Sequence, residues 1–301
     1  MAISRAQLVK ELEPGLNALF GLEYKSYANE HAEIFDTESS DRAFEEEVML
    51  SGFANATVKP EGQGVQFDDA QETFTARYTN ETIALAFAIT EEAIEDNLYD
   101  RLASRYTKAL ARSMANTKQV KAAAVLNNGF NANFAGGDGV ALFATNHPTI
   151  AGTFSNELAV ASDLNETSLE QALIDIAAMT DERGLKIASR GMKLIIPSAL
   201  QFTADRLMKS EGRTGTADND INAVKNMGMI PEGYTVNHFL TSAKKWFIKT
   251  DVPNGLKHFV RSPIKTSMEG DFDTGIVRYK ARERYVFGVS DPRGIFGSDA
   301  V

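Results

Sequence analysis

The 301-residue chain contains no cysteine. That excludes disulfides, thiolate chemistry and cysteine-ligated zinc or iron–sulfur centres. Its four histidines, His31, His147, His238 and His258, are far apart and none has a metal-ligand spacing such as HExxH. No apolar run approaches the roughly 20 residues a bilayer span needs. The start, MAISRAQLVKELEPGL, lacks the apolar stretch of a secretory signal, so export is not expected. No GxGxxG follows a strand, and neither GxxxxGK[ST] nor GxSxG occurs, so nucleotide binding and a hydrolase elbow lack support. DFDTG (271–275) departs from a calcium loop at its fifth and sixth positions, where Gly275 and Ile276 stand. It reads as a hairpin turn. GGDG (136–139) precedes no helix that could present a phosphate site, and it too reads as a turn. Glu45, Glu46 and Glu47 read as a solvated charge run rather than catalytic carboxylates. No cofactor or metal is expected.

What is present is ordinary in amount and uneven in placement. Hydrophobic residues make up 43% and charged residues 24%, which suits a folded chain with a sizeable core. The net charge is −10, yet residues 1–100 hold 6 Lys+Arg against 21 Asp+Glu while the remainder is basic on balance. An acidic first third is expected to lie against a more basic surface, in the same subunit or a neighbour. An acidic chain is a poor duplex-DNA reader, which would carry a basic footprint.

Along the chain, residues 3–20 are weakly helical and interrupted by Pro14-Gly15. Residues 23–47 are acidic and lack an apolar face, which predicts an arm that packs on something else or stays mobile. Val48 to Val58 and Gly64 to Ile89 read as extended and flank the turn signal KPEGQG. A lone ribbon of that kind is marginal in water and needs another surface. A helix from Thr90 to about Asn128 carries an apolar stripe of Ile94, Leu98, Leu102, Tyr106 and Leu110, continued by Met114, Thr117 and Val120. At ~1.5 Å per residue it makes a rod on the order of 55 Å. Beyond it, Gly/Asn-rich hairpins precede a helix over 167–182, capped at Thr167 or Ser168 and closed by Gly184. MKLIIP (192–197) is suited to the centre of a sheet. A helix over 198–210, a polar loop over 211–222, and strands at 234–240 and 245–250 joined by a short turn complete an α/β block. Residues 275–292 alternate around a charged stretch and suggest a hairpin.

One junction is unusual. In RYTNETIALAFAITEEAIEDNL (77–98), Ile83, Leu85, Phe87 and Ile89 recur at strand spacing, and Thr90 then caps a helix with no loop between.

This order of elements resembles the major capsid protein of tailed bacteriophages, with the Hong Kong-type capsid fold. ALFATNHPT (141–149), LIIPSALQFTADRLMKS (194–210) and KARERYVFGVSDPRGIFG (280–297) resemble the Mu-like major head subunit branch. The resemblance implies an α+β capsid fold: an N-terminal arm at 1–47 and an extended β-hairpin loop at 48–88. A peripheral domain with a long spine helix would take 89–165 and 257–301, and an axial α/β domain 166–256. It also implies a non-enzymatic protein that assembles as pentamers and hexamers into an icosahedral head around double-stranded DNA, held without sequence specificity. Portal, scaffold and cement proteins are the implied partners and no membrane is. The implied location is the virion, assembled in the host cytoplasm. Some relatives weld subunits through a Lys–Asn isopeptide bond; Lys59 lies near the loop tip, but no adjacent motif identifies an Asn or activating Glu, and it reads as a surface lysine.

Predicted inter-subunit contacts are Phe53, Phe67, Phe74, Arg77 and Tyr78 on the loop. Arg101, Arg105, Lys108 and Arg112 on the helix are expected to meet acidic groups. Two other readings compete: an encapsulin-type compartment shell of the same fold, and a soluble cytosolic enzyme with its site in the 166–256 block.

Overall fold

A computed structural model describes residues 5–90, 99–212, 221–271 and 275–300. The chain opens with helix α1 (Arg5–Ser26), a short strand β1 (Asp36–Ser39) and two strands of a ribbon, β2 (Phe44–Leu50) and β3 (Glu72–Thr79). Strand β4 (Glu81–Ile89) and the long helix α2 (Tyr99–Asn127) follow, then a small hairpin of β5 (His147–Thr149) and β6 (Gly152–Phe154). Next come α3 (Glu166–Ala178), β7 (Gly191–Ile196), α4 (Gln201–Lys209), α5 (Ala223–Asn226), β8 (Tyr234–Val236) and β9 (Trp246–Thr250). Two long strands, β10 (Leu256–Gly270) and β11 (Val277–Val289), and a last short one, β12 (Ile295–Ser298), close the chain.

The first sheet has the order β1-β10-β11-β4. Period-two alternation in β11 sends Tyr279, Ala281, Glu283 and Tyr285 inward and leaves Arg278, Lys280 and Arg282 exposed. The inward row meets both helices: Leu16 and Phe20 of α1 and Ala103, Leu110, Ala111 and Met114 of α2 share one core with Ile89, Tyr279 and Ala281. Residues 275–292 are therefore not a hairpin of their own. Their strand β11 pairs with β10, and Asp271 N–H donates to the Ile276 carbonyl at 2.9 Å between the two strands.

Three expectations change here. The N-terminal helix runs through Pro14 to Ser26, because burial of Leu16 and Phe20 outweighs the backbone hydrogen bond that a proline forfeits. The arm is thus core of its own subunit, continued by Ile34 and Phe35, both at most 2% exposed. Its acids also find cations at home: Asp36 meets Lys249 at 3.0 Å and Glu38 meets Lys257 at 2.7 Å. The buried stripe of α2 is Ala103, Thr107, Leu110, Met114, Gln119, Ala122 and Leu126, while Tyr106 and Val120 are each 49% exposed. Small side chains allow closer approach of α1 and the sheet, so the alanines turn inward and the larger residues sit at the margin. Ile94 and Leu98 lie outside the described residues, and the side chain of Leu102 is likewise not described.

The second sheet, order β12-β9-β7-β8, has the apolar β7 at its centre with Leu194, Ile195 and Ile196 fully buried. β8 runs parallel to β7 on one side and β9 antiparallel on the other, so β8 and β9 are not the hairpin their sequence suggested. β12 pairs with β9, returning the C-terminal residues to this sheet. Leu169, Leu173 and Ile176 of α3 and Ala204 and Leu207 of α4 cover one face. α3 starts at Glu166, one residue before the expected caps: the Asn165 side chain accepts from Ser168 N–H at 2.9 Å, and Ser168 returns the bond. α3 ends at Ala178, and Gly184 instead serves a turn at φ +81°. Between the sheets, Phe130, Phe143 and Phe247 stack with centroid spacings of 4.6 and 5.1 Å.

Candidate interaction surface

The ribbon β2–β3 begins at Phe44, four residues earlier than expected, with Glu47 opposite Ala76 and Glu45 opposite Tyr78. β4 does not belong to it. Asn80 makes the corner: its amide donates to the Ser40 hydroxyl at 2.7 Å and to the Arg42 carbonyl at 3.1 Å. The chain then enters the first sheet, where Ile89 pairs with Val277 and Phe87 with Tyr279.

One face of the ribbon is bound to its own subunit. Ala76 and Tyr78 are 4% exposed and pack on Phe259. The Tyr78 hydroxyl donates to Ser290, whose hydroxyl donates to Glu47, and Lys257 bridges Glu47 at 2.8 Å and Glu38 at 2.7 Å. Burial, followed by nearby Glu47 and Glu38, raises the Tyr78 pKa, while the Ser290 bond opposes them. Burial opposes the Lys257 charge, and the two carboxylates outweigh it, leaving its pKa above the usual lysine value. A β-carbon at Gly288 would stand 2.7 Å from Tyr78 Cδ1, so only glycine leaves that ring its seat. Tyr78 is therefore a home-domain anchor and not the neighbour contact its sequence position suggested.

Beyond the root, Ser51 N–H donates to the Gln71 carbonyl at 2.9 Å and closes a neck. Residues 51–71 past that neck form no strand, because Gly52 (φ +63°), Pro60, Gly62 (φ +80°) and Gly64 offer little pleated surface to pair. Their large apolar side chains stand in solvent: Phe53 is 60% exposed, Val65 68%, Phe67 93% and Val58 94%. Phe74 is half-buried, and Arg77 is exposed with its guanidinium 3.9 Å over the Phe44 ring. Arg105, Lys108 and Arg112 lie exposed on α2 and form no ion pair among the described residues; the Arg101 side chain is outside them.

Buried polar groups join the arm to the sheet. Lys118 meets Glu283 at 2.6 Å, and Tyr24 donates to the same carboxylate at 3.2 Å. Burial raises the Glu283 pKa against the pull of Lys118. His31 and His258 lie edge to face at 5.2 Å, and His258 stacks on Phe287 at 4.2 Å. Burial, reinforced by His31 and Lys118, lowers the His258 pKa to about 3. In the GGDG turn, Asp138 meets His147 at 2.5 Å, and Asn156 accepts from the other ring nitrogen at 3.0 Å while its amide donates to Leu142 and Pro292 carbonyls. Both ring nitrogens of His147 thus have side-chain partners, which locks the loop it sits in.

Among the described residues no cluster of three or more His, Asp or Glu could hold a metal ion. A cleft of about 820 Å³ lies at the ribbon root. Its charged side chains Arg77, Glu81 and Lys121 are ion-paired, and Asp138 is hydrogen-bonded to His147.

An α+β chain with a spine helix, two sheets and an apolar loop standing clear of its own core is a capsid-type fold. The family model for phage capsid protein matches residues 72–298, and the chain belongs to that family. No curated protein matches the sequence. The structure is similar to the capsid of an empty GTA particle, at 12% identity and TM-score 0.58 over 91% of each chain. It is similar to the capsid of the cyanophage P-SCSP1u, at 11% identity and TM-score 0.57 over 89% of this chain and 86% of that one. A virus-like particle from Pyrococcus furiosus matches at 11% identity and TM-score 0.52, over 94% and 98% respectively. At such identities the likeness is one of fold. The protein is a structural major capsid protein, a component of the virion, in a family and fold that are those of a structural protein rather than an enzyme.

Proposed function

We propose that copies of this chain assemble as pentamers and hexamers into a closed icosahedral head that confines double-stranded DNA. The carrying observation is the loop 51–71, whose Val58 and Phe67 are more than nine-tenths exposed in the isolated subunit. Large apolar side chains left this exposed suit burial against a partner. Subunits arranged head to tail in rings bury that surface on one side and supply it on the other. Phe53 and Phe67 belong to this contact. Arg105, Lys108 and Arg112 form a cationic row that a neighbour's acidic surface would meet.

Residues 1–47 then act as an arm fixed to its own subunit, 48–88 as the extended loop, and 166–256 as the axial domain. Residues 89–165 and 257–301 form the peripheral domain. The motifs at 141–149, 194–210 and 280–297 support placement in the Mu-like branch. Portal, scaffold and cement proteins are the further partners, and assembly takes place in the host cytoplasm. Replacing Phe53 and Phe67 by serine tests the reading: subunits should stay folded and fail to form large particles in sedimentation velocity. Particles of unchanged size would refute it. A compartment shell of the same fold is the second reading, and nuclease-protected DNA inside purified particles separates the two.

A further inference from the structure

Residues 181–185 form a tight turn between α3 and β7. The Asp181 carboxylate accepts from Arg183 N–H at 2.9 Å and from Leu185 N–H at 2.8 Å, and Gly184 completes the turn at φ +81°. Both feet of the turn stand in the α/β block. Met179 is buried in the core beneath α3 and α4, Ile187 packs against that core, and Ile187 N–H donates to the Met179 carbonyl at 3.3 Å. A displacement of the turn is therefore felt in the block's packing.

Two consecutive residues of this turn hold different partners. Glu182 is buried against Arg293 at 2.6 Å, with side chains 3% and 4% exposed, and Arg293 also donates to the Thr180 carbonyl at 2.8 Å. Three residues before Arg293, the Ser290 hydroxyl bonds Tyr78 and Glu47 at the loop's root. Arg183 reaches the loop itself. It donates to the Asp69 carbonyl at 2.5 Å and lies 3.7 Å from the Asp68 carboxylate, whose other oxygen accepts from Ala54 N–H at 2.7 Å. Two routes thus join the loop to the block: its root through residues 290–293 to Glu182, and its base through Arg183. They differ in strength. Glu182 and Arg293 are shut away from water, whereas Asp68 is 41% exposed, where an ion pair contributes little and salt screens it.

We propose that this turn is a two-state clasp coupling the loop to the α/β block, closed in the free subunit and opened when a second copy takes the loop; its use in assembly rests on the shell-forming reading. The Glu182–Arg293 half holds in both states, and the Arg183 half opens. Val58 and Phe67 stand in solvent while the clasp is closed, so a neighbour can engage them before it opens. Drawing Asp68 and Asp69 away from Arg183 then loosens the turn whose feet lie in the block's core. The coupling is reciprocal: a shift of the block withdraws Arg183 from the loop. Capture of a loop by one copy is thereby registered in the block of the copy that gives it.

Hydrogen exchange on the folded subunit tests the clasp without particles. Asp68→Ala should raise exchange at Leu185 and Ile187 at least about threefold. Arg183→Ala should raise it by about the same factor at Ser51, whose N–H closes the loop's neck. With Arg183→Ala already present, adding Asp68→Ala should change nothing further at Leu185 and Ile187. Salt at about 0.5 M should reproduce the Asp68→Ala effect in the parent and have none in Arg183→Ala. Unchanged exchange at Leu185 and Ile187 in Asp68→Ala, or an equal rise with and without Arg183, overturns the proposal and leaves an ordinary surface pair. In light scattering, Arg183→Ala should shorten the assembly lag at least about threefold, because its clasp is already open. An unchanged or longer lag overturns the opening step. Absence of particles from the unmodified chain is a different result: it strikes the shell reading, while the exchange measurement still decides the clasp.

Discussion

The ammonium of Lys257 sits 2.8 Å from the Glu47 carboxylate and 2.7 Å from that of Glu38, joining the loop's root, the arm and β10 at one atom. The Lys257 side chain is only 5% exposed, whereas Glu38 is nearly half exposed. Removing one partner of a buried pair costs about 3–5 kcal/mol, and partial exposure reduces that. Lys257→Met should therefore destabilise the subunit by about 1–3 kcal/mol in urea unfolding. It should also raise amide exchange at Glu45 to Glu47, because Glu47 then lies partly buried without its cation. Unchanged exchange there would detach this lysine from the loop.

Acid should weaken the subunit through His258. Its pKa is lowered to about 3 in the folded chain, against 6.5 when unfolded. The unfolded state therefore binds the extra proton first, and the stability present above pH 6.5 is lost as pH falls towards 3. Between pH 7 and pH 5 the loss from this residue is about 2 kcal/mol. His31, also lowered by burial, acts in the same direction. Glu283, raised by burial, acts in the opposite one above about pH 4.5. His258→Phe isolates the effect: the variant should lose that part of the pH dependence, measured by denaturant midpoints at the two pH values.

The N-terminal helix should behave as core. Phe20 is 3% exposed and packs with Leu110 and Met114, so Phe20→Ala should cost about 3–5 kcal/mol. If residues 1–26 were only an assembly arm, the variant would melt like the parent and fail only in particle formation.

At the loop the opposite pattern holds. Phe67 contacts almost nothing of its own chain at 93% exposure, so Phe67→Ser should change subunit stability by less than about 0.5 kcal/mol. Particle formation should fall sharply in the same preparation.

Much of this architecture can be read from spacing. The period-two run Ile83 to Ile89 became β4, and MKLIIP became the central strand of the second sheet. What stayed hidden depends on long-range pairing. Nothing local tells that residues 44–47 pair with 76–79 while the next strand departs, because Asn80 makes that corner through Ser40 and Arg42. Acidic residues 23–47 read as an arm that packs on something else or stays mobile, and what they pack on was hidden because their cations, Lys193, Lys249 and Lys257, lie more than 150 positions away. Pro14 suggested a break where tertiary burial carries the helix through. Tyr78 looked like part of an outward ribbon, yet its seat depends on Gly288, a residue with no sequence signal. The junction at Thr90 is described only up to that residue, so the expected direct passage into the spine lies at 91–98, outside the described chain.

Electron microscopy of the purified protein at high concentration decides whether this chain builds a shell. Closed, hollow particles of uniform diameter with five- and six-fold clusters on their surface are expected. A preparation holding only monomers or small open oligomers, across salt and crowding conditions that keep the subunit folded, would contradict it.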